Sequence, residues 1–120
     1  AKKEPNDAAN KVDWVKKWFN DYNSLPYETN PAGPMLLVEQ LDKAERWSKD
    51  NNRPMWMGEF GAYSKGDMKS RANWTAFVRE EAEKRGFSWA YWEFAAGFGA
   101  YDKNLKRWRQ ELHEALIPKP

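Results

Sequence analysis

Apolar residues recur along this chain at spacings that predict four helices and two strands. Spacing by three and four marks one face of a helix, whereas a short apolar run between breakers marks a buried strand. The strands are predicted over residues 55–60 and 87–93, the first of them buried on both faces. Each predicted helix begins at a capping residue or at a first-turn proline, namely Asn6 or Asp7, Pro34, Asp67 and Asn104.

The order of these elements is helix, helix, strand, helix, strand, helix. Strands joined by a helix of this length run parallel, with a right-handed crossover, which predicts α/β architecture. Two strands do not form an independent parallel sheet, because unpaired edges and uncovered faces remain. The sequence therefore predicts a piece of a larger sheet, incomplete as a fold on its own.

Tryptophan is abundant, with 8 residues among 120, and most of these side chains are predicted to pack in the core. Four lie on helical stripes and two lie inside the predicted strands. These six are Trp18, Trp47, Trp74 and Trp108 on the helices, and Trp56 and Trp89 in the strands. Trp92 differs because it lies at a strand end, where a binding surface would be placed.

Composition excludes several kinds of chemistry. The chain has no cysteine, so disulfides, thiolate nucleophiles and cysteine-ligated metals are excluded. The 20 basic and 18 acidic residues are interleaved, which predicts no nucleic-acid partner. No apolar run approaches the roughly 20 residues of a membrane span, so no membrane association is expected. Carboxylate, hydroxyl, lysine and aromatic chemistry remains.

Both predicted strands end in the same dipeptide, Glu59-Phe60 and Glu93-Phe94. Functional groups gather at the carboxyl ends of parallel strands, so the two glutamates are candidate catalytic carboxylates. The alternative is that they are solvated or paired with a cation. Gly58 and Gly61 favour a functional role for Glu59, because glycine permits close approach of a ligand.

Aromatic residues surround these carboxylates in the sequence. Flat rings stack on the C–H faces of sugars, so carboxylates ringed by aromatics suit a carbohydrate site better than a phosphate or peptide site. The alternative is ordinary core packing. The aromatic residues concerned are Tyr63, Trp92, Phe94, Phe98 and Tyr101.

Three segments, residues 53–63, 89–94 and 97–102, together resemble the C-terminal part of glycoside hydrolase family 5 cellulases. The resemblance extends over residues 35–117. It implies a (β/α)8 TIM barrel of which the seventh and eighth strand-helix units are present. Residues 1–34 would then form a helix and a connection before the seventh strand, and residues 35–120 the recognisable family region.

The resemblance implies roles for particular residues in a retaining double displacement. Glu59 matches the nucleophile, and Trp92 matches the tryptophan that forms a floor for the sugar, often followed by a non-proline cis peptide. Glu93, Tyr63 and Phe98 are expected to contact substrate, with a structural role as the alternative for Glu93. Strand spacing of about 4.8 Å also permits Glu93 as the acid partner of Glu59, but the family pattern does not assign it that role.

The family takes its acid from an Asn-Glu-Pro motif at the fourth strand, and Lys3-Glu4-Pro5 does not match that motif. The implied protein is a secreted endo-β-1,4-glucanase that acts on β-1,4-glucan without a metal or organic cofactor. The isolated chain is expected to be inactive. Its expected partner is the N-terminal remainder of the barrel as a separate or cleaved chain, or else a swapped homo-oligomer.

Two other functions stay open. A noncatalytic carbohydrate-binding or assembly fragment would use the aromatic residues without a covalent step. A mannanase, xylanase or xyloglucanase would share the fold and the nucleophile with a different sugar.

Overall fold

The computed structural model describes residues 11–119, which divide into two compact units, one within residues 1–42 and the other within residues 43–120. Among the described residues, no helix has the length and apolar composition that crossing a bilayer requires. The helices are α1 (Asp13–Ser24), α2 (Pro34–Asn51), α3 (Met68–Lys84) and α4 (Gln110–Leu116). The strands are β1 (Trp56–Phe60), β2 (Ser88–Tyr91), β3 (Tyr101–Asp102) and β4 (Arg107–Trp108).

The first unit contains α1, the connection after it and the first part of α2. The predicted cap at Asn6 or Asp7 lies outside the described residues. Trp18 stacks on Tyr22 along α1, with ring centroids 5.3 Å apart. The Asn30 side-chain amide donates to the Tyr22 carbonyl at 2.9 Å, which ties the connection back to α1.

In the second unit β1 and β2 pair in parallel, as the order of elements predicts. Trp56 lies opposite Ser88 and Phe60 opposite Tyr91, with a register irregularity between Met57 and Phe60. Helix α3 connects the two strands and packs against both of them, and α4 packs against α3. The strand-helix-strand crossover thereby brings the two strand ends side by side.

The ends of α3 follow the sequence signals. The Asp67 carboxylate accepts a hydrogen bond from the Ser70 amide at 2.9 Å, which confirms the predicted N-cap. At the other end Gly86 adopts a left-handed conformation with φ of 71°, and the Phe87 amide donates to the Ala82 carbonyl at 3.0 Å. This glycine-terminated end turns the chain directly into β2.

The core of the second unit lies where α3 meets α4 and the strands. Arg79 is almost fully buried there, and its Nε donates to the Ala115 carbonyl at 2.8 Å, which ties α3 to α4. The buried apolar residues of this unit are Phe60, Val78, Ala82, Phe87, Ala100, Leu112 and Ala115.

The prediction that most tryptophans pack in the core is wrong for four of them: Trp47, Trp56, Trp74 and Trp108 are exposed, Trp56 by 71%. The prediction that β1 is buried on both faces is also wrong, since Phe60 is its one buried residue. Apolar periodicity shows which face can be covered. It does not show whether the same chain covers it, and β1 has a strand neighbour on one edge only among the described residues.

The prediction of a final helix from Asn104 is wrong. The Asp102 carboxylate accepts hydrogen bonds from the amides of Asn104 and Leu105, both at 3.0 Å, and so forms a side-chain-capped turn. Lys106 has a positive φ of 50°, which interrupts a helix. Strands β3 and β4 form an antiparallel hairpin around this turn, and α4 begins only after it.

Candidate active site

The crossover places Glu59 and Trp92 at the ends of neighbouring parallel strands. The Trp92 amide donates to the Phe60 carbonyl at 2.8 Å, which continues the pairing one residue past β2. Glu59 is exposed, and Trp92 is half-exposed. The Trp92-Glu93 peptide bond is cis, as the family resemblance predicts. An exposed carboxylate and an accessible indole therefore share one end of the sheet.

Gly61 has a specific packing reason for being glycine. A Cβ atom at this position would lie 1.9 Å from the Trp92 carbonyl oxygen, so the backbones of the two strand ends approach as closely as they can. At Gly58 a Cβ would meet nothing within 4 Å. At Gly61 the close approach is therefore made by the backbone of the neighbouring strand end, and approach of a ligand at these glycines stays a prediction.

The Glu93 carboxylate is directed into its own loop. Its oxygens accept hydrogen bonds from the Ala96 amide at 2.9 Å and the Phe98 amide at 3.0 Å, with a longer contact from the Ala95 amide at 3.4 Å. Desolvation opposes ionisation of Glu93, but these amides and the charge of Lys103 together hold its pKa below the usual range. The geometry supports the structural alternative for Glu93, and substrate contact by this residue stays a prediction.

Glu93 should make the stability of this region depend on pH. A carboxylate whose pKa is lower in the folded than in the unfolded protein stabilises the fold above the unfolded pKa of about 4.3. This stabilisation is lost as the pH falls through the folded pKa. In a complete barrel that contains this chain, we expect the unfolding temperature at pH 7 to be higher with Glu93 than with Glu93→Gln. The difference between the two unfolding temperatures should narrow steadily below pH 4. A gap independent of pH in thermal melts would contradict this role of the carboxylate.

Tyr63 and Phe98 form an aromatic pair between the two strand-end loops. Their ring centroids lie 5.2 Å apart, and the Ser64 amide donates to the Gly97 carbonyl at 2.9 Å beside them. A Cβ at Gly97 would come within 2.7 Å of the Tyr63 ring. The loops after β1 and β2 are thus joined by both side-chain and main-chain contacts, with Tyr63 half-exposed.

The other two aromatics of the predicted set are largely engaged with each other. Phe94 stacks on Tyr101 at 5.0 Å, and the Trp108 ring meets both edge-on, at 5.7 and 5.5 Å. His113 in α4 is half-buried and lies 5.2 Å from Trp108. This cluster ties the hairpin to α4. Phe94 is still 59% exposed, so Trp92, Tyr63 and Phe94 are the accessible aromatics of the predicted set.

Arg71 is the residue that sequence reasoning missed. It is only 5% exposed, and its Nε donates to the Ala62 carbonyl at 3.0 Å while Nη2 donates to the Phe98 carbonyl at 3.1 Å. The Tyr91 hydroxyl donates to the same Phe98 oxygen at 2.7 Å. Burial raises the pKa of this phenol although the Arg71 charge opposes that shift, so the hydroxyl stays protonated as a donor.

Residues 13–97 match the profile of the family described as Cellulase (glycosyl hydrolase family 5). The chain belongs to glycosyl hydrolase family 5. The match begins ahead of residue 35, so α1 and the connection after it lie within the family region.

Relatives of this family 5 chain are endoglucanases. Endoglucanase H of Acetivibrio thermocellus is 33% identical over 69 residues, which cover 58% of this chain and 8% of that protein. Structures of Thermotoga maritima Cel5A, one in complex with cellobiose and one with mannotriose, are each 46% identical with a TM-score of 0.69. Each match covers 88% of this chain and 33% of Cel5A. The chain thus spans a third or less of the length of these relatives.

Proposed function

We propose that this chain supplies the seventh and eighth strand units of a (β/α)8 endo-β-1,4-glucanase, with Glu59 as the nucleophile. The observation that carries the proposal is the parallel pairing of β1 and β2, which places exposed Glu59 beside half-exposed Trp92. Catalytic groups of such barrels lie at the carboxyl ends of the strands. Membership of family 5 supports the chemistry.

In the proposed reaction the Glu59 carboxylate attacks the anomeric carbon and forms a glycosyl-enzyme. A second carboxylic acid, about 5 to 5.5 Å away, protonates the leaving oxygen and then serves as the base for water. The Trp92 ring provides a flat surface on which a pyranose can stack. Glu93 holds the loop that follows Trp92, and so keeps that surface in place relative to Glu59.

The second carboxylic acid is proposed to come from the N-terminal remainder of the barrel. The two-stranded parallel sheet leaves one edge of β1 and one edge of β2 without a strand neighbour among the described residues. Further barrel strands would pair with both edges. Because cellulose is outside cells, we also propose that the complete enzyme is secreted.

β-1,4-Glucan is the proposed substrate. The Thermotoga maritima Cel5A structure with cellobiose, a β-1,4-linked glucose disaccharide, supports this choice. The same protein is also described in complex with mannotriose as substrate, which makes β-mannan the second candidate. Comparing turnover of the two polysaccharides therefore belongs in the first assay.

A hybrid barrel tests the proposal. It consists of the N-terminal part of Thermotoga maritima Cel5A that this chain does not match, followed by the full 120-residue chain. We expect the hybrid barrel to release reducing sugar from carboxymethylcellulose, and the 120-residue chain alone to release none, because only the hybrid contains both carboxylates.

The same hybrid barrel distinguishes the noncatalytic alternative. A hybrid that folds cooperatively and binds cellobiose, but cleaves neither glucan nor mannan, would identify a binding fragment and contradict the enzymatic proposal. Robust turnover by the 120-residue chain alone would contradict the proposal that the acid lies elsewhere.

A further inference from the structure

We propose that Arg71 is a positioning residue that aligns the two strand-end loops of the active site, an inference that rests on the proposed function. The guanidinium bridges the loop after β1, at Ala62, and the loop after β2, at Phe98. These loops follow Glu59 and Trp92 respectively. Arg71 itself is buried beneath them and is proposed to act through them, without touching substrate.

The Phe98 backbone is held on both sides. Its carbonyl accepts hydrogen bonds from Arg71 and from the Tyr91 hydroxyl, and its amide donates to the Glu93 carboxylate. Because the same residue also contacts the Tyr63 ring, a shift of Phe98 would be passed to the loop after β1. Because Arg71 is a residue of α3, its hydrogen bond ties Phe98 to the helix that connects β1 and β2.

A guanidinium suits this position better than an ammonium. Its planar fork directs Nε and Nη2 to acceptors in two separate segments at the same time, and both hydrogen bonds are charge-assisted. A buried charge is costly unless it is hydrogen-bonded. The fold is therefore most stable when both carbonyls lie where the guanidinium can donate to them. A lysine ammonium at Arg71 has the charge but lacks the fixed fork geometry.

Misalignment of the two loops should reduce catalysis more than it reduces stability. Attack by Glu59 requires the sugar on the Trp92 side to be held in near-attack geometry, and a displacement of about 1 Å can cost about 100-fold in rate. The expected signature is therefore a lower kcat at saturating substrate in a protein that is still folded.

Arg79 offers a matched control on the same helix. It is as buried as Arg71, 6% against 5% exposed, and its Nε also donates to a main-chain carbonyl, that of Ala115 in α4. Its other contacts are ion pairs with Glu80 and Glu83 on the same helix, away from the strand-end loops. We expect Arg71→Lys in the hybrid barrel to lower kcat on an aryl cellobioside at least tenfold, and Arg79→Lys to change it by less than about twofold.

Amide hydrogen exchange in the hybrid barrel supplies a readout that does not need catalysis. We expect Arg71→Lys to speed exchange at the amides of Ala96 and Phe98 at least tenfold, with the Val78 amide of α3 unchanged. Arg71→Gln replaces the buried charge with a neutral amide that lacks the guanidinium fork, and it should move both readouts in the same direction. This variant keeps the test decisive if Arg71→Lys does not fold.

The outcomes separate this inference from the proposed function. A folded wild-type hybrid without turnover would contradict the proposed function, while faster loop exchange in Arg71→Lys would still support the alignment of the loops. An active hybrid in which Arg71→Lys and Arg79→Lys have the same kcat, with loop exchange unchanged, would overturn the role of Arg71. If Arg71→Lys does not fold, unchanged kcat and loop exchange in Arg71→Gln would also overturn it.

Discussion

Glu59→Gln is expected to lower kcat of the hybrid barrel on an aryl cellobioside by about a thousandfold or more, because an amide does not form the glycosyl-enzyme. Glu59 is exposed at the end of β1, so the substitution should leave folding nearly unchanged. The measurement is steady-state kinetics at saturating substrate, with thermal melts to verify that wild type and variant are equally folded.

Glu93→Gln is the matched control for this prediction, since it makes the same chemical change at the end of the neighbouring strand. Glu93 accepts hydrogen bonds from amides of its own loop, so Glu93→Gln should disturb loop alignment and lower kcat about tenfold, as expected for Arg71→Lys, and far less than Glu59→Gln. If both variants lose activity to the same degree, the division of roles between the two carboxylates is wrong.

Gly61→Ala is expected to produce the largest loss of stability among single substitutions at the site. The added methyl group would lie 1.9 Å from the Trp92 carbonyl oxygen and 3.1 Å from its carbonyl carbon. Both are backbone atoms, so the strand end itself must move. We expect the free energy of unfolding of the hybrid barrel to fall by about 3 kcal/mol or more in urea titrations.

Gly58→Ala provides the comparison within the same strand. A methyl group at this position meets nothing within 4 Å, and β1 tolerates alanine there without a clash. We expect a change of less than about 1 kcal/mol in the same titration. Equal losses in the two variants would show that strand propensity, and not the approach of the Trp92 backbone, accounts for the effect of Gly61→Ala.

Much of the fold that positions the site was readable from local sequence signals. The N-cap at Asp67 and the glycine end at Gly86 fix α3 through short-range contacts, and the two apolar runs on either side of it give a parallel pair. Such signals act through neighbouring residues, so they do not depend on what the rest of the protein packs against the segment. The juxtaposition of Glu59 and Trp92 then follows from the crossover alone.

Features that depend on tertiary context were not readable. Arg71 resembles any cation in the first turn of a helix, and its two acceptors belong to loops distant in sequence. At the hairpin, the Asp102 side chain accepts hydrogen bonds from the amides of Asn104 and Leu105 and so forms a turn where a helix beginning at Asn104 was expected. The exposed Trp56 shows that an apolar pattern does not specify its partner surface.

Covalent trapping in the hybrid barrel tests the central claim most directly. A 2-fluoro-glycoside with a good leaving group forms a long-lived glycosyl-enzyme at the nucleophile of a retaining enzyme. After proteolysis, mass spectrometry should find the fluoroglycosyl group on the peptide that contains Glu59 and on no other. A label on Glu93, or an active hybrid that takes up no label, would contradict the assignment of Glu59 as nucleophile.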